Sequence, residues 1–387
     1  MELSRILSLL IIPALMAGCG TRKQEVPENS LSFDDVVYVH DTYPIDFTLP
    51  EGVPAGLDII GINNFTICDS MMLLSTQDKL GQIYVVDLDD MQVLGKFIAE
   101  GRGPGELTET VYVDNIKFYN DSGHTVGLWF PLNGIHELRR FDLTESLRTG
   151  KTVLEIFKLG LDGGTWLSDA VPMPDSRLLV YLSGRERKSI SRFILSQDGK
   201  TSVTDPMERL NRAEVTVYDE EVGRGQGGVR FVSLSLNTLG TFNGYCASRD
   251  LVIESARELN TICIYSPDGS FARTVCTFGD TVDDIKAVQG MDRGRTSMRL
   301  KMYDDFFAVV HFFRDEGRKY VRLFSYDGRP LAQIEIPVDV FSFDFDTRTG
   351  TFYTMDQKTE VILRHDVSAL LESIRKLPES GMTASGQ

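Results

Sequence analysis

Strand-turn units recur along the chain, and this repetition limits its fold more than any other feature of the sequence. The motif Ser-x-Asp-Gly occurs three times, at Ser196–Gly199, Ser266–Gly269 and Ser325–Gly328. Each copy lies between two apolar segments rich in β-branched and aromatic residues, as expected of strands. Asp-Gly accommodates the positive φ that a tight hairpin turn requires. The sequence therefore predicts a series of antiparallel β-hairpins.

Aspartates at the ends of predicted strands mark six equivalent units. They are Asp87, Asp142, Asp198, Asp268, Asp327 and Asp366. Their spacing averages about 56 residues, close to the period of a large propeller blade. A four-stranded sheet cannot bury both faces alone, so such units stack around a common axis. We predict an all-β fold over residues 31–377: a six-bladed β-propeller with four-stranded antiparallel blades, its ring closed by an N-terminal strand.

The last interval is the shortest, so the last blade needs a strand from elsewhere in the chain. Val36–Thr48 precedes the first full repeat, and we expect it to complete the last blade. A second motif, Gly-x-Φ-Tyr-x-x-Asp with Φ apolar, occurs at Gly81–Asp87 and again at Gly350–Asp356. Helical spacing of leucines and an isoleucine predicts a short helix within Val367–Leu377. Residues 378–387 are predicted to be a disordered tail.

The N-terminus has the organisation of a secretory signal. Ile6–Ala17 is a largely apolar run of twelve residues after Arg5, too short for a membrane span of about 20 residues. Leu15–Cys19 resembles the bacterial lipobox, in which the cysteine becomes the first mature residue and is lipidated. Met16 departs from the usual leucine of that motif. The alternative is an ordinary signal peptide or a buried N-terminal helix with an incidental cysteine.

The resemblance to a lipobox predicts how the N-terminus is processed and where the protein is located. Residues 1–18 would be a lipoprotein signal peptide, and residues 19–30 the lipidated Cys19 and a polar tether. Two or three acyl chains, palmitate among them, anchor a protein stably. We predict an outer-membrane lipoprotein of the cell envelope. The leaflet stays open; the segment after Cys19 lacks an acidic export cluster, which favours the periplasmic side.

The net charge of −16 excludes two other modes of attachment. Binding to nucleic acid needs a basic face that displaces counterions from phosphates, so no nucleic-acid partner is predicted. An anionic membrane surface would also repel the chain. Membrane contact is therefore predicted through the lipid anchor alone.

A glycine-rich heptapeptide, Gly101–Leu107, follows the first predicted blade. It resembles the Gly-Arg-Gly-Pro-Gly-Glu signature of the TolB-like six-bladed β-propeller lipoproteins of Bacteroidetes. The resemblance covers the lipobox, the spacing of the first blade and this signature, and becomes diffuse across later blades. It implies a six-bladed fold and an envelope location, but no reaction. A structural link between blades would require the same glycines and proline.

Arginine-containing glycine-rich segments are also predicted before the fourth and fifth blades. Links from an outer strand to the next inner strand open on one face of a propeller, so their arginines are expected around the mouth of the channel. Such arginines would suit a carboxylate or sulfate ligand. The alternative is that they pair with surface acids. The candidate ligand-binding residues are Arg102, Gly103, Gly105, Glu106, Arg224, Arg293 and Arg295.

The sequence contains no recognisable catalytic constellation. Neither His-Glu-x-x-His nor Gly-x-Ser-x-Gly occurs, and the dinucleotide-like Gly223–Gly228 precedes a predicted strand, residues 229–236, rather than a helix. We therefore predict no catalytic residue, metal ligand or cofactor. The predicted function is a binding or scaffold module for a protein or glycan partner in the envelope.

The alternative function is a metal-dependent hydrolase or lyase with carboxylates at the central channel. Acidic pairs at Asp89-Asp90, Asp283-Asp284 and Asp304-Asp305 leave an axial calcium open. Solvated turn carboxylates explain these pairs more simply.

The cysteines and the tryptophans each allow two interpretations. After Cys19, four cysteines remain, and Cys263 and Cys276 flank a predicted turn, either as buried thiols or as a disulfide. Trp129 and Trp166 are expected in the core between blades, with a sugar platform as the alternative.

Overall fold

Six β-sheets follow one another along the chain in the computed structural model, which describes residues 25–131, 137–161, 164–184, 186, 188–216, 238–291, 294–356 and 358–378. Each sheet contains a four-stranded antiparallel blade. The protein is a six-bladed β-propeller, which confirms the predicted fold class.

The first three blades are formed by strands that are consecutive in the chain and run in order from the inner to the outer edge of each blade. Blade 1 consists of Ile62–Cys68, Met71–Thr76, Ile83–Asp87 and Val93–Phe97. Blade 2 consists of Lys117–Asp121, His124–Trp129, Glu137–Asp142 and Leu154–Lys158. Blade 3 consists of Trp166–Met173, Arg177–Ser183, Ile190–Leu195 and Thr201–Ser202.

The last three blades also take strands from the N-terminal segment. Blade 4 consists of Thr241–Cys246, Leu251–Ala256, Thr261–Tyr265 and Ala272–Cys276, with Val36–Tyr38 outside them. Blade 5 consists of Arg295–Met302, Phe307–Phe313, Arg318–Phe324 and Pro330–Ile336, with Ile45–Thr48 outside them. Blade 6 consists of Val340–Asp346, Thr351–Asp356, Ile362–Asp366 and Val53–Pro54.

Short helices and one small strand pair connect or cover the blades. The α-helices are α1 (Leu143–Thr149), α2 (Asp205–Asn211), α3 (Ile285–Val288) and α4 (Ser368–Arg375). A 3₁₀ turn, Val113–Asn115, and the paired strands Ala99–Glu100 and Glu106–Leu107 lie between blades 1 and 2. Helix α4 confirms the helix predicted near the C-terminus.

The N-terminal segment closes the ring, but not through the residues predicted. Val53–Pro54 pairs antiparallel with Ile362–Asp366 and is the outer strand of blade 6. Val36–Thr48 was expected in that position and instead forms two parallel strands on the outside of blades 4 and 5. The segment therefore passes around three blades before it closes the ring.

The predicted turn aspartates occupy equivalent places, whereas one repeat does not. All six lie at or just after the end of the third strand of a blade. The glycines of the three Ser-x-Asp-Gly turns have φ of 79°, 84° and 86°, as the motif predicts. Gly81–Asp87 spans the third strand of blade 1, but Gly350–Asp356 spans the second strand of blade 6. The similarity of these two segments is therefore not a blade repeat.

Six hydrophobic clusters, one between each pair of neighbouring blades, hold the ring together. Phe97 of blade 1 and Phe141 of blade 2 contact each other with ring centroids 5.8 Å apart. Phe65 of blade 1 and Tyr353 of blade 6 share the cluster that closes the ring. Burial of apolar surface in these clusters is what fixes each blade against the next.

Antiparallel order gives the propeller two distinct faces. The link face carries the links between blades, such as 98–116 and 337–339, and the connections between second and third strands, such as 77–82. The turn face carries the turns between first and second strands, such as 69–70, and those after third strands, such as 88–92. Every inner strand starts at the link face, so side chains near its beginning surround one mouth of the channel.

The packed domain begins slightly earlier than predicted. Ser30, assigned to the tether by sequence, is fully buried, and Arg209 of α2 donates hydrogen bonds to carbonyl oxygens of Pro27 and Glu28. The segment is therefore docked on α2 from Pro27. The predicted signal peptide, Cys19 and the tail beyond Pro378 lie outside the described residues. No helix in the described part of the chain is long and apolar enough to cross a bilayer.

Candidate functional site

Four of the six inner strands, all of them described, have a β-bulge near their start. The extra residues are Asn63, Ser168, Met298 and Phe341 in blades 1, 3, 5 and 6. A bulge breaks the alternation of a strand and re-aims the side chain that follows it. The residues that follow are Asn64, Asp169, Arg299 and Ser342, at the link-face mouth of the channel.

Asp344 is the centre of the deeper polar layer around the axis. Its carboxylate accepts hydrogen bonds from Lys301 Nζ at 2.8 Å, Tyr303 Oη at 2.7 Å and Thr66 Oγ1 at 3.0 Å. Burial, together with the carboxylate of Asp344, raises the pKa of Tyr303 well above its usual value, so the phenol remains a donor. The network joins blades 1, 5 and 6.

Asp114 occupies the mouth above this layer. It lies in the 3₁₀ turn between blades 1 and 2, accepts a hydrogen bond from Asn64 Nδ2 at 2.8 Å and forms an ion pair with Arg299. The guanidinium of Arg299 also lies 5.1 Å from the ring centroid of Phe341. One side of the mouth is thus rigidly held by charged and aromatic contacts.

A second network, on the other side of the axis, joins blades 2, 3 and 4. Asp169 Oδ1 lies 2.5 Å from Lys117 Nζ, and its Oδ2 accepts from Asn243 Nδ2 at 2.8 Å. Burial lowers the pKa of Lys117, while the carboxylate of Asp169 opposes that change. Asp169 is therefore held by partners on both sides.

A cavity of about 220 Å³ opens beside Asp169, between blades 3 and 4. Its lining includes Ser168, Asp169, Ser183, Asn243 and Arg257. Two of its polar atoms, Ser183 Oγ and Asn243 Oδ1, are buried and hydrogen-bond to no described residue. Buried polar atoms are nearly always satisfied, so water or another small polar molecule in the cavity would complete the hydrogen bonds of these two.

The cavity rests on a buried ion pair. Arg192 Nε lies 2.8 Å from Glu254 Oε2, and both side chains are 1% exposed. Tyr181, which lines the cavity, and Tyr265 each donate to Glu254 Oε1, at 3.1 and 2.7 Å. Burial and the charge of Glu254 raise the pKa of both tyrosines well above its usual value. The cavity floor is therefore a fixed framework of hydrogen bonds.

The two faces differ sharply in exposed apolar side chains. Ten of the fourteen exposed large hydrophobic residues in the described part of the chain lie in links, in second–third connections or in the first four residues of an inner strand. They are Ile60, Leu80, Tyr112, Trp166, Val203, Met291, Met298, Val338, Phe341 and Val361. Of the other four, Val93 and Leu94 begin an outer strand at the turn face, and Val53 and Ile156 lie in two other outer strands. The link face therefore exposes more apolar side chains than the turn face, as faces that bind partners commonly do.

The predicted glycine-rich site forms a compact loop at the interface of blades 1 and 2. Glu106 folds back on the loop, and its Oε2 accepts a hydrogen bond from the backbone N–H of Gly103 at 2.7 Å. Gly105 has a φ of 77°, and a Cβ at this position would lie 3.0 Å from Thr152 Cβ of blade 2. Arg102 is exposed. Glycine and glutamate here shape the link.

Arg295 lies at a different interface, between blades 4 and 5. Its guanidinium is 5.0 Å from the ring centroids of both Phe278 and Phe313, beside a cavity of about 250 Å³ that Asp315 and Glu316 also line. In a six-bladed ring this interface is opposite that of Arg102, so the structure does not bring the two together.

Two predicted arginines, Arg224 and Arg293, lie outside the described residues, as does the segment 229–236. Ligand binding by the predicted set stays a prediction.

The acidic pairs singled out in the sequence do not lie together at the axis. Asp89-Asp90 and Asp304-Asp305 lie in exposed turns on the turn face, whereas Asp283 is buried and accepts a hydrogen bond from the backbone of Asn260.

None of the four cysteines in the described residues forms a disulfide. Trp129 is buried between blades 1 and 2, as expected, but Trp166 is 55% exposed. The expectation that Trp166 is core was wrong because it begins an inner strand at the channel mouth.

The sequence did not reveal the axial residues. Asp114, Asp169 and Asp344 come from a link and two separate blades, with no common spacing or motif. The one available signal was a polar residue inside an otherwise apolar first strand of a blade. This polar residue can be recognised as a signal only once the inner strands have been assigned.

Neither a protein-family model nor a curated protein matches the sequence. Similar solved structures include a member of the DUF4221 family from Bacteroides vulgatus, with 11% identity, a TM-score of 0.49, and 82% of this chain and 96% of that one covered. Regucalcin, a calcium-binding protein from Agrobacterium tumefaciens, has 9% identity, a TM-score of 0.43 and coverages of 84% and 95%. Streptogramin B lyase has 9% identity, a TM-score of 0.38 and coverages of 82% and 97%. The six-bladed fold itself follows from the strand pairing and inter-blade clusters described above.

Proposed function

We propose that the protein is a binding module of the cell envelope that holds a protein or glycan partner on its link face. The observation that supports this most is the uneven distribution of exposed apolar side chains between the two faces. Ring closure does not require it, because the inter-blade clusters are complete without these residues. An apolar rim around a polar mouth is the arrangement that interfaces commonly use.

The lipid anchor belongs to the same proposal. The lipobox-like Leu15–Cys19 and the TolB-like heptapeptide Gly101–Leu107 support an envelope lipoprotein of the kind described in Bacteroidetes. A lipid anchor would keep the propeller in the same compartment as its partner. Anchoring also raises the effective concentration of the two partners.

The axial carboxylates do not favour the alternative, a metal-dependent hydrolase or lyase. Asp344 accepts from Lys301, Asp169 from Lys117, and Asp114 pairs with Arg299. A cation at the axis would have to displace these ammonium and guanidinium groups before it gained carboxylate ligands. The network is arranged as a structural support for the mouth.

Site-directed photocross-linking tests which face is used. The photoreactive residue p-benzoylphenylalanine is placed at Tyr112, Met298 or Phe341 on the link face, and at Ala247 or Asp90 on the turn face as matched exposed controls. The full chain is produced in cells, and adducts are digested with protease or glycosidase to identify their class. We expect adducts from the link-face positions alone. Equal adducts from both faces, or none from the link face, would show that the proposed docking face is wrong.

A further inference from the structure

We propose that the cavity between blades 3 and 4 binds one acidic sugar unit, a monosaccharide ring that carries hydroxyl groups and a carboxylate. This inference rests on the proposed binding function and names the ligand chemistry of one subsite on the link face. It draws on the size of the cavity, on its two unpartnered polar atoms and on the arginine at its rim.

The cavity size limits the ligand to a single ring. Its volume is about 220 Å³, whereas a water molecule in the liquid occupies roughly 30 Å³. It is smaller than the usual range for drug-sized ligands, which begins at about 300 Å³. A six-membered sugar ring with its substituents fits this space, with further units extending along the apolar link face.

Hydroxyl groups of a ligand would complete the hydrogen bonds of the two unpartnered atoms, Ser183 Oγ and Asn243 Oδ1. Asn243 donates its Nδ2 hydrogen to Asp169 Oδ2, which leaves Oδ1 facing the cavity as an acceptor, so a ligand must supply a donor. Ser183 Oγ both donates and accepts. Both residues are at least nine-tenths buried, at 9% and 5% exposure. A hydroxyl group replaces the water these atoms would otherwise bind without loss of hydrogen bonds.

Arg257, at the rim of the cavity, is suited to bind a carboxylate. Arg257 is exposed, and its guanidinium is stacked 4.6 Å from the ring centroid of Phe242, forming no ion pair with a described carboxylate. Stacking orients the planar guanidinium while its N–H groups remain available for bidentate binding. The other charge in the cavity, on Asp169, is already compensated by Lys117. The uncompensated charge beside the cavity is therefore positive, which favours an anionic ligand.

Calorimetric titration of the full chain with sodium glucuronate, glucose and sodium acetate tests the inference. We expect glucuronate to bind at least tenfold more tightly than either of the others, because only glucuronate provides both the hydroxyl groups and the carboxylate. Equal affinity for glucose and glucuronate, or no detectable glucuronate binding, would overturn the proposal.

Two substitutions locate the binding. Ser183→Ala removes a hydroxyl that has no protein partner, so the fold should be at least as stable, and glucuronate affinity should fall about fivefold. Arg257→Gln should lower glucuronate affinity at least tenfold and leave glucose affinity unchanged. The matched control is Arg249→Gln, an exposed arginine of the same blade that stacks on Tyr326 at the turn face. Glucuronate binding that survives both cavity substitutions, or falls equally in the control, would place the site elsewhere.

The two proposals fail separately. Link-face cross-links without glucuronate binding would overturn the cavity assignment and leave the docking face standing. Glucuronate binding that depends on Arg257, without link-face cross-links, would overturn the docking face and support the cavity.

Discussion

Asp344 illustrates how single charges are kept at the centre of the ring. It is 2% exposed and would be costly to bury alone, yet Lys301, Tyr303 and Thr66 supply its hydrogen bonds. Buried ion pairs of this kind seldom add net stability compared with apolar residues. What they provide in this ring is a fixed arrangement of inner strands from three blades, and with it a channel mouth of constant shape.

The pair of Arg192 and Glu254 allows a direct test of such a buried charge. Glu254→Gln leaves the guanidinium of Arg192 buried without a counter-charge, so we expect a loss of about 3–5 kcal/mol in the free energy of unfolding. Urea denaturation measures it. The matched control is Glu335→Gln, which removes an exposed ion pair with Arg318 and should cost little. Similar losses in the two variants would contradict the role given to burial.

His311 should make stability depend on pH. It is buried, and desolvation, followed by the charges of Arg322 and Arg295, lowers its pKa well below the usual value. The unfolded chain binds a proton at this histidine below about pH 6.5 and the folded chain does not, so stability falls as the pH drops through that value. Between pH 7.5 and 5.5 the loss from this residue should be about 1.4 kcal/mol.

Urea denaturation of the wild type and His311→Phe at both pH values measures that contribution. The phenylalanine variant should lose less stability between pH 7.5 and 5.5 than the wild type, by the amount stated above. An identical loss in the two proteins would show that His311 becomes protonated in the folded state.

At the scale of elements, the β-bulges and the N-terminal segment decide what the blades present. Four bulges turn Asn64, Asp169, Arg299 and Ser342 to the channel mouth. The closing strand Val53–Pro54 is short and pairs through only two residues of Ile362–Asp366. The hydrogen bond from His365 Nδ1 to the carbonyl oxygen of Pro50, at 2.8 Å, therefore matters for ring closure.

Gly52 tests the closing contact. A Cβ at this position would lie 2.5 Å from His365 Cε1 and 2.9 Å from Leu363 Cβ, so Gly52→Ala should push the closing strand away and cost about 1–3 kcal/mol. Gly160→Ala, where a Cβ has open space, is the matched control and should be neutral. Thermal denaturation of both variants measures the difference. A Gly52→Ala variant as stable as the control would mean that the close contact of Gly52 with His365 and Leu363 does not hold the closing strand in place.

At the scale of the whole molecule, a closed ring hides all but its outer strand edges and leaves two faces free for partners. Most of the exposed apolar side chains are on the link face, and we propose that a lipid at Cys19 holds the ring near its partner. Cys19→Ala should abolish incorporation of labelled palmitate and release the protein from the envelope fraction, because the acyl chains are its predicted attachment. Cys68→Ala, a cysteine inside blade 1, should keep the label. A Cys19→Ala protein that is still labelled would refute the anchor.

The repeat in the sequence was sufficient for the architecture. Asp-Gly turns and apolar strands are local signals, because positive φ and alternating burial depend on neighbouring residues in the chain. They therefore predicted six blades and the turn at each of the six aspartates. The short last interval also showed that an N-terminal strand must close the ring, although Val53–Pro54 rather than Val36–Thr48 does so.

The candidate site could not be read from the sequence, because only the closed ring assembles it. Lys117, Asp169 and Asn243 are on three different blades, and Ser183 and Arg257 end strands that become neighbours only when blades 3 and 4 pack together. Whether a polar residue is buried, paired or left without a partner depends on contacts across that interface. Local sequence decided how many blades form and where they turn, and the tertiary structure decided which charges neutralise each other and which polar atoms are left without a protein partner.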